Sequence, residues 1–232
     1  LTICGQGGRI LVSYGGTSPV ASTYRASIYS TSAATTYTTS PTYTPTANAL
    51  VIAFVVGCST SVVDPTGVTG HGATFTKLTL TANDLSTTHA LSVWVADVGA
   101  SPSSTAVVAT WGSNRTGGGV IEFEVTNWNG VSAVAAVIQN PVNNGTGTSG
   151  TNTLAAAAKA TNRPLSFWVH LANEATAPDG TWTETAGADG NFNNPATGAE
   201  AQFKNDAYST APTASWSTSS AWRGVALEIN GN

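Results

Sequence analysis

Residues 49–56, Ala-Leu-Val-Ile-Ala-Phe-Val-Val, form an unbroken apolar run that Gly57 closes. β-Branched and aromatic side chains dominate the run and no helix breaker falls inside it, so it reads as a strand buried in the middle of a sheet. Side chains of a strand alternate between its two faces. Leu50, Ile52, Phe54 and Val56 therefore line one side and Val51, Ala53 and Val55 the other, and both sides need cover. Downstream, Gly70 and Gly72 are spaced for a tight turn or a bulge, ahead of an alternating strand over residues 75–80.

The remainder reads as short strands separated by turn residues: 90–98, 106–111, 120–125, 132–138, 165–172, 181–185, 201–203, 214–217 and 221–229. Many brief strands at regular spacing without a convincing helix predict an all-β sandwich or barrel. Residues 154–160 are helix-like but short and uncapped, and they are read as an edge strand or a single turn. Leu165, Phe167, Val169 and Leu171 alternate with Ser166, Trp168 and His170, and Val225, Leu227 and Ile229 with Ala226 and Glu228. The apolar halves predict two inner faces about 10 Å apart, with the polar and aromatic halves on the outer faces.

Two regions are expected. Five of the six tyrosines lie within the first 43 residues, and all seven tryptophans come from Trp94 onward. That break, with the Thr, Ser and Pro richness of residues 15–48, predicts an extended N-terminal arm or linker over 1–44 and a folded body over 45–232. A short strand is expected at 9–14. Starting at Leu1 with no Met anywhere, the chain reads as a mature, processed or truncated product.

Charged residues make up only 9% of the 232, with 8 basic against 12 acidic and a net charge of -4. Nucleic-acid binding needs clustered Lys and Arg to neutralise phosphates, and here they are scattered singly. A negative balance gives no attraction to an anionic membrane, and no run approaches the roughly 20 apolar residues of a membrane span. Such sparse charge with abundant Ser, Thr and Gly favours an extracellular or virion setting.

The segments Pro45-Thr46-Ala47-Asn48-Ala49-Leu50-Val51-Ile52-Ala53-Phe54, Val68-Thr69-Gly70-His71-Gly72-Ala73-Thr74-Phe75-Thr76, Val93-Trp94-Val95-Ala96, Val120-Ile121-Glu122-Phe123, Arg163-Pro164-Leu165-Ser166-Phe167 and Gly180-Thr181-Trp182-Thr183-Glu184 occur in this order. Together they resemble a loose family of jelly-roll sandwich modules found in bacteriophage tail and virion-surface proteins and in secreted bacterial proteins. The resemblance covers residues 45–230. It implies a two-sheet antiparallel jelly roll and, by association, a surface or assembly role, and it carries over no catalytic residue.

Several residues are candidates for chemistry. Glu122 and Glu124 sit roughly 7 Å apart on one strand face, as the acid pair of a glycoside hydrolase would, although alternation alone produces such polar pairs on a solvent-facing strand. His71, in a glycine turn, is expected to be exposed, and His89 and His170 are expected to be satisfied or solvated; their spacing supports no metal site. Asp189, Asn191, Asn193 and Glu200 fall at the first, third, fifth and twelfth positions of a calcium loop, with Asn194 where that loop wants Gly. Trp128, flanked by Asn127 and Asn129, is the candidate platform for stacking on a sugar. Cys4 and Cys58 are read either as one disulfide or as two buried thiols.

The leading expectation is a non-enzymatic structural module on a virion or extracellular surface: a phage decoration, tail or fibre protein that docks through its N-terminal arm onto other copies or neighbouring structural proteins. A glycan-binding module is the alternative. No cofactor is expected beyond calcium at the Asp189 loop.

Overall fold

The computed structural model describes residues 18–80, 85–193 and 195–232. Every regular element in them is a strand. The first are β1 (Ala21–Ser30), β2 (Ala34–Thr38), β3 (Leu50–Cys58), β4 (Gly67–Gly70), β5 (Ala73–Thr74), β6 (Thr76–Lys77), β7 (His89–Asp97) and β8 (Val108–Arg115). They are followed by β9 (Gly117–Thr126), β10 (Val137–Gln139), β11 (Val142–Thr151), β12 (Arg163–His170), β13 (Ala177–Pro178), β14 (Thr183–Asn193), β15 (Ala196–Phe203) and β16 (Thr213–Ile229). All pairings are antiparallel.

Three sheets result. A five-stranded sheet has the order β1-β9-β3-β7-β6, a seven-stranded sheet runs β10-β16-β12-β15-β14 with β11 and β13 added to β16, and a four-stranded sheet runs β2-β8-β4-β5. The 49–57 run becomes β3 at the centre of the first sheet, with Ile52 opposite both Val95 and Phe123. Its two apolar faces explain the layering. Leu50, Ile52, Phe54 and Val56 pack with Leu165, Phe167, Val225 and Leu227 of the seven-stranded sheet, and the rings of Phe54 and Phe167 lie 4.9 Å apart. Val51, Ala53 and Val55 pack instead with Val68, Ala109 and Trp111 of the four-stranded sheet. Every residue of β3 is buried. Burying such side chains contributes about 1.5–3 kcal/mol each, and Phe54→Ala would cost about 3–5 kcal/mol.

The N-terminal region differs from expectation. Residues 21–38, read from composition as arm, form β1 on β9 and β2 on β8, so the body begins well before residue 45. Ala26 and Tyr37 are buried in it. Tyr29, in the same stretch, lies against Gly190 of β14. The strand expected at 9–14 lies outside the described residues.

The outer face of the seven-stranded sheet is also covered, against expectation. The ladder of β11 with β16 breaks between Gly147 and Ser149, and residues 213–215 of β16 pair with 149–151. This bent ribbon buries Trp168 together with Ala214, Trp216 and Trp222. Trp168 fits because its cross-strand neighbour is Gly224, where a Cβ would stand 2.3 Å from the indole. Residues 154–160 are neither strand nor helix, and Leu154 is buried. Among the described residues no helix is long and apolar enough to cross a membrane.

Candidate functional site

Glu122 and Glu124, the carboxylate pair that alternation puts on one strand face, are placed away from solvent by the fold. On β9 they share the parity of Val120, which faces the four-stranded sheet, so that layer and residues 39–46 close over them. Glu122 is 0% exposed and Glu124 1%. The Tyr43 hydroxyl donates to Glu122 Oε1 at 2.7 Å and the Thr39 hydroxyl to Oε2 at 3.1 Å. His71 Nε2 stands 2.6 Å from Oε1. Glu124 accepts from Arg25 Nε at 2.9 Å and from the Thr46 amide at 3.1 Å.

His71 is buried, not exposed, because of its turn. His71 and Gly72 form the two-residue loop between β4 and β5, with φ of +54° and +81°. Two consecutive positive φ values are the type I′ hairpin geometry that suits the strand twist. A non-glycine residue there costs about 1–2 kcal/mol. In return the imidazole points under the small sheet, where Nδ1 lies 3.2 Å from the Ser103 carbonyl. A carbonyl only accepts, so Nδ1 carries a proton towards Ser103. The Tyr43 ring stacks at a tilt 4.7 Å from the imidazole, and the Arg25 guanidinium sits 5.2 Å from the centre of the Tyr43 ring. Burial, then Glu122, holds the Tyr43 hydroxyl well above its usual range, so it remains a donor.

Carboxylate, imidazole and phenol within hydrogen-bond reach are the parts of an acid–base device. Here each group is engaged by another strand or loop. The cluster links β9, the β4–β5 turn and residues 39–46, and so ties the four-stranded layer to the central sheet.

A second cluster lies under the outer cover of the seven-stranded sheet. Residues 189–193 and 196–200, expected as parts of a calcium loop, pair as β14 and β15 instead, with Asp189 opposite Glu200, Asn191 opposite Gly198 and Asn193 opposite Ala196. Extended strands spread the four side chains out: Asn191 and Asn193 stand about 7 and 13 Å along from Asp189, too far to wrap one ion. No three His, Cys, Asp or Glu side chains among the described residues are grouped to hold a metal. Asp189 and Glu200 do meet. Glu200 is 0% exposed, and neither of its carboxyl oxygens has a hydrogen-bond partner. Burial first, then Glu184 and Asp189, push its pKa up to about 9, so it is a neutral acid at pH 7.

His170 is also buried, stacked on Trp216 with ring centres 4.5 Å apart, and its Nε2 lies 2.9 Å from the Thr176 hydroxyl. The third histidine, His89, faces Thr197 at 2.9 Å. Thr197 gives its own proton to the Pro195 carbonyl, so His89 Nε2 is the donor. Burial lowers both His89 and His170 to about 4. Cys58 is a buried free thiol, 3.7 Å from the Thr197 hydroxyl, and desolvation pushes it up to about 12. Its proposed disulfide partner, Cys4, lies outside the described residues, as does Asn194.

The glycan platform is not assembled as expected. Trp128 is half-buried against the core, and its indole N–H donates to the Asn48 carbonyl at 2.8 Å. The Asn127 amide donates to the Pro19 carbonyl at 3.1 Å, and the Asn129 backbone N–H to Asn230. These bonds tie the residues after β9 to Pro19, to the turn ahead of β3 and to the stretch after β16. Two surface depressions carry only hydroxyls and small apolar groups: one of about 390 Å³ over the His71 turn, with Thr69, Thr74, Ser103 and Thr105, and one of about 650 Å³ at Thr60, Ser61 and Thr87.

Comparison with protein-family models, with curated proteins and with solved structures yields no match. The chemistry of the chain is therefore read from these residues alone. Sequence reasoning missed Tyr43, Thr39 and Arg25 as partners of the acid pair. The available signal was two carboxylates alternating with the apolar Ile121, Phe123 and Val125, with an aromatic and an arginine in the Thr-rich stretch upstream.

Proposed function

We propose that this protein is a non-enzymatic structural or assembly module of a virion or extracellular surface, of the jelly-roll type its sequence resembles: a decoration, tail or fibre component whose partners are other copies of itself or neighbouring structural proteins. The observation that carries this reading is where the ionisable groups go. Glu122, Glu124, His71, His89, His170 and Glu200 are all buried, several of them joining one layer or strand to another. The exposed positions are rich in hydroxyl and amide side chains. β11, Val-Asn-Asn-Gly-Thr-Gly-Thr-Ser-Gly-Thr, has ten residues without a charge, and charges are the usual guard against association of strand surfaces.

The test is purification of the source particle or secreted assembly, with quantification of this chain against the other components. A fixed stoichiometry, together with self-association by light scattering, is the expected result. A soluble monomer whose turnover of a glycoside disappears in Glu122→Gln, with the fold intact, would refute the reading.

A further inference from the structure

We infer that the outer face of the four-stranded sheet, at the depression beside the His71 turn, binds a neutral saccharide. Residues paired directly across antiparallel strands share a face. Thr38 of β2 pairs with Val108 of β8, Val108 with Thr69 of β4, and Thr69 with Thr74 of β5. The intervening Tyr37, Ala109 and Val68 are buried against the central sheet, so this row points outward. Thr36 and Thr110 make a second row about 7 Å along the strands, which lie about 4.8 Å apart. Thr36, Thr38, Thr69 and Thr74 are exposed. The depression opens at one end of the first row, lined by Thr69, Thr74, Ser103, Thr105, Ala106 and Val108. Its volume of about 390 Å³ is within the range of small-ligand sites, roughly 300–1,000 Å³.

The buried cluster holds this site in place from below. The Ser103 amide donates to the His71 carbonyl at 3.0 Å, and the His71 amide donates to Thr105 Oγ1 at 2.7 Å. His71 Nδ1 donates to the Ser103 carbonyl, while Nε2 is seated on Glu122. Gly70 permits the close approach of the chain after Thr105: a Cβ there would stand 2.8 Å from the Ala106 carbonyl oxygen. Hydroxyls fixed before a ligand arrives cost less ordering entropy on binding.

Composition selects the ligand. Residues 34–46, 66–76 and 98–114, which build this face, include no Asp, Glu, Lys or Arg, so a charged ligand meets no opposite charge. The cores of protein–protein contacts are enriched in aromatic residues, Met and Arg, and none of these is among the outward residues of the two rows. Thr and Val are under-represented among the residues that dominate such contacts. A hydroxyl both donates and accepts, and here hydroxyls alternate with the methyl groups of Thr, Ala106 and Val108. A sugar ring presents the same alternation of hydroxyl and C–H groups. The site uses none of Asn127, Trp128 and Asn129, and it is independent of the assembly reading, since a particle component and a free monomer can carry it alike.

The test uses the full chain on an array of neutral oligosaccharides of glucose, galactose, mannose and N-acetylglucosamine beside sialylated and sulfated ones, followed by titration of the strongest binder. Binding to neutral members is expected. The double variant Thr69→Ala, Thr74→Ala should weaken it at least about tenfold, the effect of losing two neutral hydrogen bonds. Both side chains are exposed, so the urea midpoint should stay at the wild-type value. A second variant, Thr74→Lys, keeps a polar group there but adds length and charge, and it should abolish binding. No binding to any member, binding to the anionic members alone, or wild-type affinity in either variant overturns the inference.

Discussion

Replacing Glu200 by Gln should stabilise this protein at neutral pH and flatten its stability between pH 5 and 9. Glu200 is fully buried, no donor reaches either carboxyl oxygen, and Glu184 and Asp189 add like charge. Its ordinary value of 4.5 rises to about 9 in the fold. Between those values the folded chain holds a proton that the unfolded chain has released, so stability falls as pH rises, by about 1.4 kcal/mol per unit. At pH 7 the accumulated loss is about 3 kcal/mol relative to mildly acidic conditions. Gln is neutral in both states and keeps the shape. Burying its amide returns about 1–2 kcal/mol of that gain unless the amide donates to the neighbouring Asp189. The net expectation at pH 7 is a gain of about 1–3 kcal/mol, or about 3–10 °C in midpoint for a chain of this size. Urea and thermal unfolding at pH 5, 7 and 9 measure it. A variant that is less stable than wild type at every pH, or that shows the same slope, would refute the account of Glu200 as a buried neutral acid.

Three further outcomes follow from the same packing. Glu122→Ala strips the acceptor from His71, Tyr43 and Thr39 at once and should cost about 3–5 kcal/mol; a loss below about 1 kcal/mol in urea unfolding would show that the layer tie is unimportant. Gly224→Ala drives a Cβ to 2.3 Å from Trp168, an indole that Gly150 also approaches closely, so a loss of about 1–3 kcal/mol with altered tryptophan fluorescence is expected, and wild-type stability would contradict the buried indole. His89 and His170, lowered by burial from 6.5 to about 4, are neutral in the fold, so their contribution is complete above pH 6.5 and declines as pH drops towards 4; His89→Gln should reduce the acid-side loss, and an unchanged acid limb counts against it.

Much of the framework was legible in the sequence, because strand alternation is local. The run read at 49–57 is β3 at 50–58, 90–98 is β7 at 89–97, and the inward halves of β12 and β16 are the residues that alternation selected. The two-faced apolarity of β3 correctly demanded cover on both sides. Composition misled where pairing is long-range. The Thr- and Tyr-rich stretch before residue 45 is strand because β8 and β9 offer it partners some 70 to 105 residues away, and β11 is strand although its Asn and Gly residues disfavour one.

The same division decides the candidate site. Period-two alternation places Glu122, Trp168 and His170 on the faces opposite the main core, and that much is local chemistry. Whether such a face meets water depends on what folds across it. Only the tertiary arrangement laid the His71 turn and Tyr43 over Glu122, and the bent β11–β16 ribbon over Trp168, because a positive-φ turn and a break in a ladder redirect chain that is distant in sequence.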